Sequence, residues 1–322
     1  MTPKRILVTV PAAIAFAAAS FAMGPGAQTP AVVQIAGAIV PVFPADETDT
    51  PTATWTPMAT DTPAPTSTPT SPPTPMDSPT PTRTATRSVR AVRVPILMYH
   101  YLSVPPPDAD IYRLDLSVTP DTFEAQMKYL ASAGYHPIRI SDLTDYLLNG
   151  TQLPSKPIVL TFDDGYRDNY ENALPVLKKY KFPATFFIIA QFIDDQKPGY
   201  MTWDQVEDLA IEGMEIGSHT LDHIDLRGKS RSVQASEIAG SKAMIESRIG
   251  TPVESFCYPS GQYDAQTISI LRSTGYLAAT TEIQGMYQSS NDTYQLRRIR
   301  VRGSYSAADL AYWIKYFTQS GK

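Results

Sequence analysis

Four histidines and one pair of adjacent acids are the residues best able to do chemistry in this chain. The acids, Asp163 and Asp164, end the run "IVLTFDDGY" at residues 158–166. Neighbouring carboxylates repel, and neither suits a strand interior. Adjacent side chains in a strand point to opposite faces, but at a strand-to-loop turn both can approach one site. A cation would then offset the charge of one carboxylate, leaving the other free to take a proton. By itself "DDG" also reads as a plain turn, with Gly165 supplying positive φ. The segment "HTLDH" sets His219 and His223 four residues apart, and on a helix or compact turn they share a face. Two imidazoles and one carboxylate are a ligand type of catalytic zinc, with a position left open for water and substrate. The same set suits cobalt, nickel or other divalent ions. Of the other two histidines, His100 ends "LMYH", and His136 in "AGYHPI" falls between a helix and the next element.

These residues need elements to position them. Short apolar, β-rich runs alternate with helix-period segments from about residue 91 onward. The predicted strands are "VPILMYH", "PIVLTFDD", "ATFFIIA", "MEIGSH", "ESFCYP", "LAATTE" and "YQLRRIRV". The predicted helices run over 121–133, 141–148, 170–179, 203–211, 233–249, 264–273 and 307–316. Four strands deliver His100, Asp163 with Asp164, His219, and Pro259-Ser260-Gly261 at their C-terminal ends, the face where α/β barrels build active sites. Such β-α units make either a parallel sheet closed as a barrel or an open doubly wound sheet.

The chain has 322 residues, is 43% hydrophobic and 18% charged, and carries a formal net charge of -5. That balance argues against nucleic acid as a partner, since neutralising phosphates needs clustered cations. Arg297, Arg298, Arg300 and Arg302 do cluster; in a strand, Arg298, Arg300 and Arg302 would form one basic face. With Cys257 as the single cysteine, no intramolecular disulfide forms. The N-terminus, "MTPKRILVTVPAAIAFAAASFAM", follows the pattern of a secretory signal with a small-x-small site at Ser20-Phe21-Ala22. The other reading is an uncleaved anchor, because the run approaches the ~20 residues that span a bilayer. Thr and Pro dominate 48–87, which cannot bury enough surface to offset its ordering entropy. Extended by Pro, its roughly 40 residues reach at most ~120 Å. The expected organisation is a signal peptide or anchor at 1–27, a disordered Thr/Pro-rich linker at 28–90, and a catalytic domain at 91–322. An extracytoplasmic domain, held to the cell envelope or wall by the stalk, follows from that order.

Together, "TFDDGY", "HTLDH" and "FCYPSG" resemble the first three motifs of the polysaccharide deacetylases, the NodB homology or carbohydrate esterase family 4 domain. The resemblance covers most of residues 93–302. "VPILMYHYL" and "QLRRIRV" resemble a branch with a circularly permuted barrel, the deacetylases of exported poly-β-1,6-N-acetylglucosamine. The resemblance implies an α/β fold, a distorted (β/α)7 TIM-like barrel behind the linker. It implies a metal-dependent hydrolase that removes N-acetyl groups from an extracellular amino-sugar polysaccharide and releases acetate. Carried over residue by residue, Asp163 is the general base and His100 the general acid. Asp164, His219 and His223 bind a divalent metal, zinc being the first choice. Tyr258, Pro259, Ser260 and Gly261 line the substrate groove and offer a backbone N–H to the oxyanion. The sequence departs from the family twice. Cys257 stands where many members carry a third-motif arginine, and no histidine follows His223 to make the later Leu-x-His motif. Arg298 is the candidate to steady Asp163 in the arginine's place; the plainer reading of Arg298 is a solvated strand face. Peptidoglycan, chitin oligomers and acetyl-xylan are alternative substrates with the same site logic. A stalked carbohydrate-binding module with a vestigial site is the alternative of another class. Tyr101, Tyr166, Tyr263 and Trp203 are aromatics that either line a groove or pack in the core. The expected partner is the polysaccharide itself, engaged by a monomer.

Overall fold

The computed structural model describes residues 88–320. The expected signal segment and nearly all of the linker lie outside the described residues. The strands, in chain order, are β1 (Ala91–Arg93), β2 (Ile96–Tyr99), β3 (His136–Ile138), β4 (Pro157–Phe162), β5 (Thr185–Ile188), β6 (Glu215–Ser218), β7 (Ser255–Cys257), β8 (Ala278–Gln284), β9 (Tyr287–Ser289) and β10 (Leu296–Arg300). The helices are α1 (Ile111–Leu116), α2 (Pro120–Ser132), α3 (Ile140–Asn149), α4 (Leu174–Tyr180), α5 (Ala190–Asp194), α6 (Trp203–Ile211), α7 (Arg231–Ile249), α8 (Ala265–Ser273) and α9 (Ala307–Ser320).

Continuous apolar runs become parallel strands because both of their faces are covered. β2 and β5 are buried along their whole length, and β4 from Ile158 to Phe162. The order β2-β10-β8-β7-β6-β5-β4 closes through pairing of β2 with β4, giving a seven-stranded parallel barrel. These seven are the strands predicted from the sequence, and the ring is closed rather than open. The two faces of the sheet feed separate cores, as period-two alternation requires. Leu97, Tyr99, Leu160, Phe162, Phe186 and Phe256 join the cluster that includes helix residues such as Phe123 and Ile238. Ile96, Val159, Phe187 and Cys257 join Ile140, Leu143 and Leu147 of α3 in a second cluster.

Three short strands, α1 and α5 were not expected. β3 takes the edge of β4 at Pro157–Val159, below the stretch where β5 pairs with Thr161 and Phe162. This opens the ring for α3, whose Ile140 and Ser141 N–H groups donate to Thr185 and Glu215, the first residues of β5 and β6. α3 thereby closes the N-terminal end of the barrel. β1 and β9 form a separate antiparallel pair. α1 buries none of its residues, so no apolar periodicity announced it. The run "ATFFIIA" ends as a strand at Ile188, and Ala190 opens α5.

Candidate active site

The register of the barrel brings the chemistry-bearing residues to one end. Tyr99 pairs with Phe162, so His100 and Asp163 occupy the next level together. The Asp163 N–H donates to the Tyr99 carbonyl at 2.9 Å. The chain then leaves the strand through two left-handed residues, Asp164 at φ 75 and Gly165 at φ 77. That conformation is uncommon for a non-glycine residue and marks strain worth explaining. Gly165 has a second constraint, since a Cβ there would stand 3.2 Å from Ile188. The turn sends the two carboxylates to different partners. Asp163 meets Arg298 inside the barrel, whereas Asp164 reaches the two imidazoles of the 219–223 loop.

That loop is a compact turn rather than a helix, with Thr220 and His223 both at positive φ. Pairing of Ile188 with Ser218 sets its start, and the His219 N–H donates to the Ile188 carbonyl. Glu237 of α7 holds it from behind by accepting the Leu221 and Asp222 N–H groups at 3.1 and 3.0 Å. The His223 N–H donates to Thr220 Oγ1. The rings of His219 and His223 meet edge to face, their centres 4.7 Å apart and their planes at 70°. His219 Nδ1 lies 2.8 Å from the Cys257 carbonyl, which can only accept, so Nδ1 carries a hydrogen and Nε2 is the nitrogen turned to Asp164, open to a metal once its own proton is given up.

Asp164 Oδ1 stands 3.3 Å from His219 Nε2 and 3.3 Å from His223 Nε2. Ligand atoms about 2.0–2.1 Å from one ion at tetrahedral angles stand roughly 3.3–3.4 Å apart, so these three fit a divalent ion with its fourth position open. Asp163, His219 and Cys257 form a second close group. There the Arg298 guanidinium already lies 2.7 Å from Asp163 and 3.3 Å from Cys257 Sγ, so a metal ion would sit against a fixed cation. The Asp164 set is the better cradle. Burial alone would raise the Asp164 carboxyl; hydrogen bonds from His219 and His223 outweigh it and hold the group well below the usual range. For His219, burial pulls down, while Cys257 and Asp164 pull it well above the ordinary imidazole value.

Asp163 is 2% exposed. Arg298 Nη1 donates to its Oδ1 at 2.7 Å, and the Cys257 thiol lies 3.5 Å from its Oδ2. Burial would raise this carboxyl, but Arg298 and then His100 overcome it and keep the group below the usual carboxylate range. Arg298 is 1% exposed and further bonded to the Thr281 carbonyl and Thr161 Oγ1. It is no solvated strand face; its guanidinium fills the space beside Cys257. Arg300 and Arg302 point elsewhere and pair with Glu282 and Asp115. His100 Nε2 lies 3.9 Å from Asp163 Oδ2. Burial lowers the His100 pKa, with Asp163 and Asp164 pulling upward and Arg298 and Arg300 pushing down. His136 lies apart from the site, exposed at the start of β3.

The turn after β7 contributes less than its four residues suggest. Tyr258 is buried, its hydroxyl donating to the Tyr294 carbonyl and its ring stacked on Tyr263. Pro259 is buried as well. The Tyr258 and Gly261 N–H groups donate within the fold, and Pro259 has none, which leaves Ser260 N–H, on an exposed residue at φ 51, as the donor for a ligand. Trp203 is a core residue whose indole N–H donates to Asp194. Tyr101 and Tyr166 stack at 3.7 Å and, with Tyr200 and Arg113, line a cleft of about 480 Å³. Tyr166, two residues past Asp164, brings this cleft next to the site, and burial and then the Asp164 charge push the Tyr200 hydroxyl up to about 12. Sequence reasoning missed Glu237, and it missed Asn169, whose side chain donates to the His100 carbonyl. An asparagine five residues past the acid pair was visible; nothing in α7 singled out Glu237.

A family model described as polysaccharide deacetylase matches residues 150–279. YxkH of Bacillus subtilis, named as a polysaccharide deacetylase, is 33% identical over 229 residues, covering 71% of this chain and 78% of that protein. The poly-β-1,6-N-acetyl-D-glucosamine N-deacetylase of Staphylococcus aureus is 26% identical over 193 residues, 55% of this chain and 66% of that one. Among solved structures, the Streptococcus pyogenes deacetylase PplD in complex with acetate aligns with a TM-score of 0.65 at 30% identity, over 70% of this chain and 99% of that one.

Proposed function

The chain belongs to the polysaccharide deacetylase family, and on that premise we propose that it hydrolyses N-acetyl amides on an extracellular N-acetylglucosamine polymer, releasing acetate. The observation that carries this reading is the side-by-side arrangement of two differently partnered aspartates. Asp164 sits between His219 and His223 at 3.3 Å from each, and Asp163 is held by Arg298 at 2.7 Å. Asp164, His219 and His223 would hold a divalent ion, zinc by ligand type, which when bound would lower the pKa of a water and polarise the acetyl carbonyl. Asp163, kept ionised by Arg298, takes a proton from the attacking water. A C–O bond forms at the acetyl carbon while the carbonyl π electrons move to its oxygen; as that tetrahedral species collapses, the C–N bond breaks. The Ser260 N–H donates to the developing oxyanion. His100 gives its proton to the departing nitrogen, which would otherwise leave as a strongly basic anion. Burial makes its imidazolium a stronger acid than a free one. The products are acetate and a free amine.

The staphylococcal relative's name supports a β-1,6-linked polymer as the substrate. The signal-like N-terminus and Thr/Pro-rich stretch support an extracytoplasmic site of action, with the organisation 1–27, 28–90 and 91–322. No helix among the described residues is long and apolar enough to cross a membrane. The test is acetate release by the full, metal-loaded chain from β-1,6 and β-1,4 N-acetylglucosamine oligomers and from peptidoglycan. The β-1,6 oligomer is expected to turn over fastest. Metal bound with no acetate from any of the three would favour a stalked binding module instead. Asp163→Asn is expected to keep its metal and lose roughly 10³-fold or more in kcat. Near-normal turnover by that variant would sink the assignment of the base.

A further inference from the structure

Five residues beyond Asp164 the chain makes a π-helical turn, Asn169–Ala173, before entering α4. Such turns are rare and occur frequently at functional sites. This one aims two asparagines at the segment leaving β2. Asn169 is fully buried, and its Nδ2 donates to the His100 carbonyl at 2.7 Å and to Asp168 Oδ1 at 3.1 Å. The reversed amide would set its oxygen against those two acceptors, so the partners settle the orientation. Asn172 Nδ2 donates to the Leu102 carbonyl, also at 2.7 Å. Asp168 Oδ2 accepts the Ser103 hydroxyl at 2.6 Å, and Ser103 Oγ in turn accepts from Arg113. Residues 100, 102 and 103 are thus fastened to 168, 169 and 172, in the stretch that opens with the two aspartates.

The ring of His100 lacks such fastening. Its Nδ1 is buried without a hydrogen-bond partner among the described residues, and its Nε2 is 3.9 Å from Asp163, beyond hydrogen-bond range. A catalytic imidazole is commonly oriented by a partner on its second nitrogen. With neither ring nitrogen bonded, the ring is aimed by packing and by its backbone, whose carbonyl Asn169 holds while Tyr101 bridges to the 116–118 segment. We propose that Asn169, backed by Asn172 and Asp168, is the positioning residue that aims His100 at the leaving nitrogen, so that one segment carries the base and orients the acid. This rests on the reading of His100 as proton donor.

The test uses a difference in leaving groups. The full, metal-loaded chain is assayed on a β-1,6 N-acetylglucosamine pentamer and on 4-nitrophenyl acetate, whose phenolate leaves without a proton. Asn169→Ala is expected to lose roughly 10–100-fold in kcat on the amide, with KM little changed, and less than about 3-fold on the ester. Its metal content should match the parent's. Equal losses on both substrates, or no loss on the amide, would overturn the proposal. Should Asn169→Ala not fold, Asn172→Ala breaks the same clamp at Leu102 and is read in the same way, with a smaller selective loss expected. His100→Gln is run alongside. If it too lacks amide selectivity, the donor reading of His100 falls and the proposal with it. If it is selective and the asparagine variants are not, only the present proposal fails.

Discussion

Asp163 and Asp164 are adjacent, yet one meets a guanidinium and the other two imidazoles. That difference underlies the proposal that Asp163 is the base and Asp164 a metal ligand. The Arg298 charge lowers both the Asp163 carboxyl and the His100 imidazole. The proposed mechanism uses Asp163 ionised and His100 protonated, and removing the Arg298 charge lets both pKa values rise. Arg298→Met is therefore expected to move both limbs of the kcat/KM–pH profile toward higher pH and to lower the maximum by roughly 10–100-fold. A profile with unmoved limbs would mean that Arg298 only fills space. The depressed Asp163 pKa also bears on stability. Its contribution is present above the unfolded carboxylate value and is lost as pH falls through the folded one. A short sequence reading could place Arg298 on a strand near the right end of the barrel. It could not tell a buried partner from a solvated face, because that depends on which way the strand's alternation is phased.

At the scale of elements, the 219–223 loop owes its shape to a helix residue 15 and 16 positions from the N–H groups it holds. Glu237 is 7% exposed and gives one carboxylate oxygen to two loop N–H groups. Glu237→Gln halves the acceptor strength there without removing the side chain. Metal affinity, measured by chelator competition, is expected to fall roughly 10–100-fold, as it does when outer-shell support of a metal site is lost. The raised His219 pKa adds a sign for pH. A proton competes with the metal for that imidazole, so affinity in the parent should weaken as pH falls. Unchanged affinity in Glu237→Gln would show that the strand end alone sets the loop. The spacing of "HTLDH" was enough to pair the imidazoles, but their face-sharing arises from left-handed residues Thr220 and His223 rather than from a helix.

Across the whole molecule, two cores back the two faces of one closed sheet, and α3 seals the end opposite the site. Leu143 of α3 is fully buried within the inner core. Leu143→Ala is expected to cost about 2–5 kcal/mol in chemical denaturation, with metal content retained in the fraction still folded. A loss below about 1 kcal/mol would mean that α3 merely covers the barrel mouth. The residue order alone determined the seven strands, the carboxylate pair, the two imidazoles and the end of the barrel where they meet, because continuous apolar runs and the groups at their ends are local properties of the chain. Closure of the ring, the entry of α3 beneath β5, the burial of Tyr258 and the pairing of Arg298 with Asp163 were decided only by tertiary structure. Each depends on strand register and on which face a residue takes, and those are set by contacts between segments far apart in the chain, 137 positions for Thr161 and Arg298 and more for the pairing of Leu97 with Ile299.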